Sequence, residues 1–259
     1  MALTTASDMK NTYRLADLSL PLFWAEVLLT FRALLFVGAK YTCPCCGWRV
    51  RAFAKGGVTL KERHLSYCPR CNSKARHRRI WLFLEQKTNL FSDRLRLFHV
   101  SPKYSLSRRF TRMPNLDYVG ADLYDRPNVS VKTDITATPI RSDTFDAIIC
   151  VHVLEEILDD RKAMRELYRV LKSGGWVLIS VPIRMDQKTY EDPMIVTLEE
   201  RQRAFGEVAH VRIYGYDLIQ RLEECGFHVQ VDLAKDVPQH TREKYGLRDD
   251  ENIFYCIKP

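Results

Sequence analysis

Five of the eight cysteines fall between positions 43 and 71, and four of these belong to two copies of one local design. Cys43-Pro44-Cys45-Cys46-Gly47 and Cys68-Pro69-Arg70-Cys71-Asn72 are each a Cys-x-x-Cys turn closed by a residue that tolerates positive φ. A turn of this kind aims two thiolates and the neighbouring amides at one point. Two such turns predict a tetrahedral four-sulfur zinc site made by Cys43, Cys46, Cys68 and Cys71. Protein sulfur in all four positions leaves no open coordination site, so the expected metal is structural. Cys45 is a spare thiol, and His64 and His77 are substitute ligands in principle, although a lone nearby His is more often a polar surface residue. A module this small buries too little to fold unaided, and zinc would supply folding free energy on the order of 10 kcal/mol. Cys150, Cys225 and Cys256 are scattered in apolar surroundings and read as buried reduced thiols, which fits a reducing, cytoplasmic setting.

The remaining charge is unevenly spread. Residues 1–112 hold 21 Lys and Arg against 6 Asp and Glu, a balance of +15. Residues 113–259 hold 19 against 26, or −7, which returns the total of +8. A basic front half suits an anionic partner such as nucleic acid, a membrane surface or a phosphorylated substrate, or is simply a solvated face. Its densest run, Lys74-Ala75-Arg76-His77-Arg78-Arg79, leads into an apolar helix from Ile80 to Leu90. That run is expected either as a solvated first turn or as a phosphate or carboxylate grip beside an active site. The apolar stretch Leu18–Val37 is interrupted by Glu26 and Arg32, which argues against both a signal-peptide core and a spanning helix. Packing against the rest of the protein is the favoured expectation for residues 18–37, with peripheral membrane contact left open.

These residues must be positioned by something larger. At 259 residues, with 46% hydrophobic and 28% charged content, the chain is neither fibrous nor disordered and can form one sizeable α/β domain plus a small module. From residue 94 short apolar runs alternate with helical patterns, which predicts a doubly wound sheet. The expected strands are 95–100, 116–121, 129–133, 145–150, 175–181, 227–233 and 252–257. The expected helices are 104–112, 159–171, 198–205 and 216–225, the last stopped by Gly226. The final two strands, joined by a long loop over 234–251, should add an antiparallel edge. In an open α/β sheet a ligand sits beyond the carboxyl ends of the strands at the switch point, here between the first and fourth strands.

Several strings then carry a specific resemblance. Phe145-Asp146-Ala147-Ile148-Ile149-Cys150-Val151-His152-Val153-Leu154-Glu155 resembles the fourth strand and following loop of the type 11 methyltransferase domain. Ala163 to Gly175, ending Leu171-Lys172-Ser173-Gly174-Gly175, resembles the helix and turn that lead into its fifth strand. Together with the knuckles, the strings Thr189-Tyr190-Glu191-Asp192-Pro193, Phe205-Gly206 and His210-Val211-Arg212-Ile213-Tyr214-Gly215 are similar to a bacterial subgroup with a zinc module in front. The resemblance runs from about residue 95 to the C-terminus. It implies a class I methyltransferase using S-adenosylmethionine, on a seven-stranded Rossmann-like sheet preceded by a zinc-ribbon-like module and an N-terminal apolar helix. The implied organisation is 1–42 helical segment, 43–73 zinc-knuckle module, 74–93 linking helix and 94–259 catalytic domain.

In that frame Val100, Ser101 and Pro102 form the first turn against the cofactor, and Asp122 with Leu123 closes the second strand to receive the ribose hydroxyls. Asp134 and Ile135 lie where the adenine would, and Val151 and His152 open toward cofactor and substrate. Two positions depart from the pattern: Lys103 stands where the subgroup has Glu, and Glu156 where relatives usually have His. Transfer to a hydroxyl needs a base. The candidates are His210, the preferred one, and His152, with Glu155 or Asp192 as orienting partners. The acceptor is expected to be a small molecule or glycan methylated on oxygen. The alternatives are RNA guided by the basic module, although no Asn/Asp-Pro-Pro-Tyr or Pro-Cys string is present, and a degenerate binding protein.

Overall fold

The computed structural model describes residues 22–55, 66–126 and 128–259. His64 and residues 18–21 of the apolar stretch therefore lie outside the described residues, as do the side chains of Phe23 and Trp24.

The front of the chain is built from short pieces. Helix α1 (Leu22–Leu34) is followed by the antiparallel pair β1 (Val37–Thr42) and β2 (Arg49–Val50), then by β3 (Ala54–Lys55) pairing with β4 (Ser66–Tyr67). Both pairs end in a cysteine turn. Helix α2 (Ala75–Lys87) starts five residues before the apolar run that predicted it, so the basic segment forms its first turns.

The larger part follows as β5 (Leu95–Val100), α3 (Tyr104–Phe110), β6 (Leu116–Asp122), β7 (Val131–Lys132), β8 (Phe145–Val151), α4 (Asp160–Val170) and β9 (Leu171–Ser180). The short strands β10 (Ile183–Arg184) and β11 (Tyr190–Glu191) precede α5 (Leu198–Phe205), β12 (Arg212–Gly215) and α6 (Leu218–Glu223). Then come β13 (His228–Asp232), α7 (Gln239–Tyr245) and β14 (Ile253–Ile257). Local chemistry explains several ends. Thr197 and Glu200 make a reciprocal capping box at the start of α5, and Gly206 in the left-handed region stops it. Gly226, at φ 102°, turns the chain out of the segment that began with α6.

Seven strands form one sheet in the order β7-β6-β5-β8-β9-β14-β13. Strands β5 to β9 run parallel, and β14 is antiparallel to both neighbours. The last two strands form the expected antiparallel edge, with β14 inserted between β9 and the outermost β13. Ile253, Phe254 and Cys256 of β14 are buried, whereas β13 exposes His228 and Gln230, as an edge strand can. On one face Phe98, Ile148 and Ile179 pack against Met164 and Leu167 of α4. On the other, Leu97, Ile149 and Leu178 pack against Ile80 and Leu84 of α2 and Leu106 of α3.

The expected long loop over 234–251 contains α7, and the stretch after β9 forms a small three-stranded sheet, β10-β12-β11. Gly215 is required there, since a Cβ would sit 2.1 Å from the carbonyl oxygen of Gln187.

Candidate functional site

The four knuckle sulfurs converge as their spacing predicts. Sγ atoms of Cys43, Cys46, Cys68 and Cys71 all lie within 4.8 Å of one another. Cys43 Sγ is 3.6 Å from Cys71 Sγ, and Cys46 Sγ is 3.7 Å from Cys68 Sγ. A tetrahedron with zinc–sulfur bonds of about 2.3 Å has sulfur–sulfur edges of roughly 3.8 Å, so the donor set fits that ion. No disulfide joins the described cysteines. The turns are shaped by Gly47 at φ 74° and Asn72 at φ 60°, whose amides donate to the carbonyls of Cys43 (2.8 Å) and Cys68 (2.9 Å). Cys45 points elsewhere, its sulfur 3.5 Å from the His77 carbonyl.

The basic segment behaves differently from either expectation. Arg78 is fully buried and donates to the carbonyls of Ser73 (2.9 Å), Tyr245 (2.7 Å) and Gly246 (2.7 Å). Its guanidinium lies 3.7 Å from the Phe53 ring centre, so one side chain ties knuckle, α2 and α7 together. Arg79 pairs with Asp232 of β13. His77 is buried, not a surface residue, and its Nδ1 lies 2.7 Å from Ser105 Oγ. Burial, then Arg76 and Lys74, hold its pKa well below the usual imidazole value.

The switch point lies where predicted: β5 pairs with β6 on one side and with β8 on the other, both in parallel. Beyond it Ser101 adopts φ 47° and its amide donates to Ala121 O at 2.7 Å, folding the first turn back over β6. Val100, Pro102 and Val151 are buried around this turn. Gly120, which sequence reasoning missed, lets it close, because a Cβ there would lie 2.0 Å from Asn128 O and 3.3 Å from Pro102 Cγ. Asp122 ends β6 and is buried; Oδ1 accepts from Tyr124 N at 3.1 Å, and Oδ2 is 3.7 Å from Arg126 Nε but accepts no hydrogen bond. A buried carboxylate oxygen in that state suits the hydroxyl donors of a ribose. Leu123 is exposed beside it. Asp134 is exposed as well, with Oδ1 accepting from Thr136 N at 2.8 Å, and Ile135 is buried.

Lys103 and Glu156, the two departures from the resembled pattern, stand after β5 and after β8 at this end of the sheet. Lys103, at the N-cap of α3, sits 3.4 Å from Ser101 Oγ. Loss of hydration and Arg126 push its pKa down, while Glu156 pulls it up. Glu156 is pushed up by loss of hydration and by Glu155, with Lys103 and His152 opposing.

Glu155 anchors the other half of the site. It lies in a 3-10 turn after β8 and is fully buried. His152 Nδ1 is 3.0 Å from Glu155 Oε1, and His210 Nε2 is 3.8 Å from the same oxygen. His152 Nε2 lies 3.7 Å from Glu251 Oε2, so both of its ring nitrogens face carboxylates. Burial alone would raise the Glu251 pKa, but the nearby His152 imidazole holds it below the usual range. Three of the four expected catalytic residues are therefore together. Asp192 is not placed as an orienting partner: its Oδ1 accepts from Met194 N at 2.9 Å and closes a local turn.

Sequence reasoning missed what holds His210 in place. Arg212, two residues on, donates to Leu154 O (3.1 Å), Ile157 O and Leu158 O (2.8 Å), and pairs with Glu191 at 2.7 Å. Arg221 bridges Glu191 (2.8 Å), Asp160 (3.0 Å) and Asp217 (3.1 Å), and Tyr214 Oη donates to Asp160 at 2.8 Å. The Thr189–Pro193 and His210–Gly215 strings are thus the joint that fixes the small sheet to the Glu155 turn. The paired Arg and Glu within them were the available signal.

A family model described as a methyltransferase domain matches residues 106–179. Demethylmenaquinone methyltransferase of Streptomyces avermitilis is 46% identical over 46 residues, 18% of this chain and 20% of that protein. The uncharacterized methyltransferase YcgJ of Bacillus subtilis is 34% identical over 74 residues, 29% of this chain and 27% of its own length. The chain thus spans about a fifth to a quarter of the curated relatives it matches. Among solved structures, Burkholderia thailandensis 1,6-didemethyltoxoflavin-N1-methyltransferase, with its substrate and S-adenosylhomocysteine bound, aligns with TM-score 0.50 and 12% identity. That alignment covers 71% of this chain and 78% of the other and establishes a shared fold.

Proposed function

We propose, from a chain that carries a class I S-adenosylmethionine-dependent methyltransferase domain, that this protein methylates a hydroxyl of a small-molecule or glycan acceptor. The observation that carries the reading is the buried Glu155 carboxylate set against His152 and His210 beside the switch point. S-adenosylmethionine, when bound, supplies an electrophilic methyl group. The remaining work is positioning, exclusion of water and removal of one proton from an acceptor whose pKa lies far above neutrality. Asp122 would hold the ribose, Leu123, Asp134 and Ile135 the adenosine, and Val100, Ser101, Pro102 and Val151 the backbone cradle. We assign His210 as the base: Nε2 faces Glu155, which orients the ring, and Nδ1 takes the proton. His152, with carboxylates at both nitrogens, is better suited to positioning than to accepting a substrate proton.

Zinc in the Cys43, Cys46, Cys68 and Cys71 site would be structural, holding the module against α2. RNA is the weaker alternative. Four of the front half's 21 cations are engaged within the protein: Arg32 on knuckle carbonyls, Arg78 on α7 carbonyls, and Arg79 and Arg108 on carboxylates. The degenerate-protein alternative is opposed by the open acceptor on Asp122.

The test is transfer of labelled methyl from S-adenosylmethionine to a panel of hydroxylated small molecules and glycans, with RNA as comparison. On the acceptor that is methylated, His210→Ala should lower kcat by about 10²–10⁴-fold with cofactor affinity unchanged. Labelling of RNA alone, or full activity in His210→Ala, would overturn the assignment.

A further inference from the structure

Helix α1 is amphipathic in the inverse sense of an ordinary surface helix. Its two charged residues both face the protein. Glu26 accepts from Tyr104 Oη at 3.2 Å and pairs with Arg70 at 3.4 Å and with Arg108. Arg32 donates to Pro69 O at 2.9 Å, to Cys68 O at 3.2 Å and to Asn72 Oδ1 at 3.2 Å. Leu29 and Ala33, on the same side, are buried. The opposite side carries Leu28, Phe31, Leu34 and Leu35, exposed by 48%, 66%, 55% and 70%, and the strip continues into Val37 at 56%. Side chains of that size are seldom left to water in one continuous strip without a partner. The packing expected for residues 18–37 therefore holds for one face of the described helix only.

The rim of this strip is cationic. Lys40, Arg49 and Arg51 are exposed on the β1–β2 hairpin, and the Arg51 amide donates to Phe36 O at 2.9 Å, which places that residue directly behind the patch. Arg112, whose side chain is 65% exposed, stands near Glu26. Glu26 is the sole acid between positions 22 and 55, and its charge is held inward. A symmetric contact between two copies through this strip would bring the cations of each rim against those of the other. At 13 residues α1 is about 20 Å long, too short to cross a hydrocarbon core of about 30 Å but suited to lying in the interface. Among the described residues no helix is long and apolar enough to cross a membrane.

We infer that the outward face of α1, with the basic β1–β2 hairpin behind it, docks the protein flat on an anionic membrane surface. Leu28, Phe31, Leu34 and Leu35 enter the acyl boundary, while Lys40, Arg49 and Arg51 meet acidic headgroups. This surface is independent of the chemistry assigned to Glu155 and His210, so either reading can fail alone.

The experiment is co-sedimentation of the zinc-loaded full chain with phosphatidylcholine vesicles, with and without phosphatidylglycerol. Binding should require the anionic lipid and weaken in ~0.5 M salt. It should fall about tenfold or more in Phe31→Ser/Leu35→Ser and in Arg49→Glu/Arg51→Glu, with Tm and zinc content unchanged. Absence of vesicle binding, equal binding to both vesicle types, or either double variant binding like the parent would overturn the inference. So would a dimer in sedimentation velocity that Phe31→Ser/Leu35→Ser dissociates, since that outcome assigns the strip to a second copy of the chain.

Discussion

Burial decides the behaviour of the titratable residues more than their type does. His99 in β5 is packed against Phe110, with Nδ1 3.2 Å from Tyr118 Oη. Burial, aided by Lys103, lowers its pKa from 6.5 to about 3. The unfolded chain therefore takes up a proton at this residue below about pH 6.5, while the folded chain does not until about pH 3. Stability must fall as pH drops through that window. From pH 7 to pH 5 the loss from His99 should be about 2 kcal/mol, read by urea unfolding, and His99→Gln should remove that increment. An equal pH slope in the variant would show that the burial of His99 carries no such penalty. The same physics limited what could be read in advance. Arg78, Arg79 and His77 look like a solvated cationic run because such residues are seldom buried, and nothing local marks the carbonyls of Tyr245 and Gly246 or the carboxylate of Asp232 as their partners. Asp122 was legible because an acid closing a strand at the switch point has a reason to be there, whereas Asp192 had only proximity in sequence.

Elements were legible where a period or a cap announced them. The strand at 95–100 and the helix at 198–205 stand where the apolar run and the helical pattern predict. Two-residue strands such as β10 and β11 are too short to carry a period, and the insertion of β14 between β9 and β13 is a matter of long-range pairing. The cysteine turns were legible down to their positive-φ closing residues. Their fold depends on what they hold: among the described residues the sulfurs are framed by short strand pairs, tied to the rest by Arg32 and Arg78. Treatment with a strong zinc chelator should release one zinc per chain and open the segment 43–73 to proteolysis, while the sheet from β5 to β14 stays protected. Metal-free protein that resists proteolysis at the knuckles would mean that the sulfurs are held by packing alone.

At the scale of the whole molecule the chain divides its labour between one face of the sheet and the carboxyl ends of its central strands. Helix α2 packs on one face of the sheet with the cysteine module beside it, and α1 is tied to that module and to α3. The carboxyl ends of β5, β6 and β8 gather Ser101, Asp122, Lys103, Glu156 and the Glu155–histidine cluster. The Lys103 and Glu156 departures, which in sequence look like two separate losses, stand after β5 and after β8 and act on each other electrostatically. The central claim is that this end still holds the cofactor, and calorimetric titration of the zinc-loaded protein with S-adenosylhomocysteine tests it most directly. Micromolar binding is expected, weakened about tenfold or more by Asp122→Ala in a variant of unchanged Tm. Well-folded, zinc-loaded protein that shows no binding, or binding that Asp122→Ala leaves intact, would contradict it.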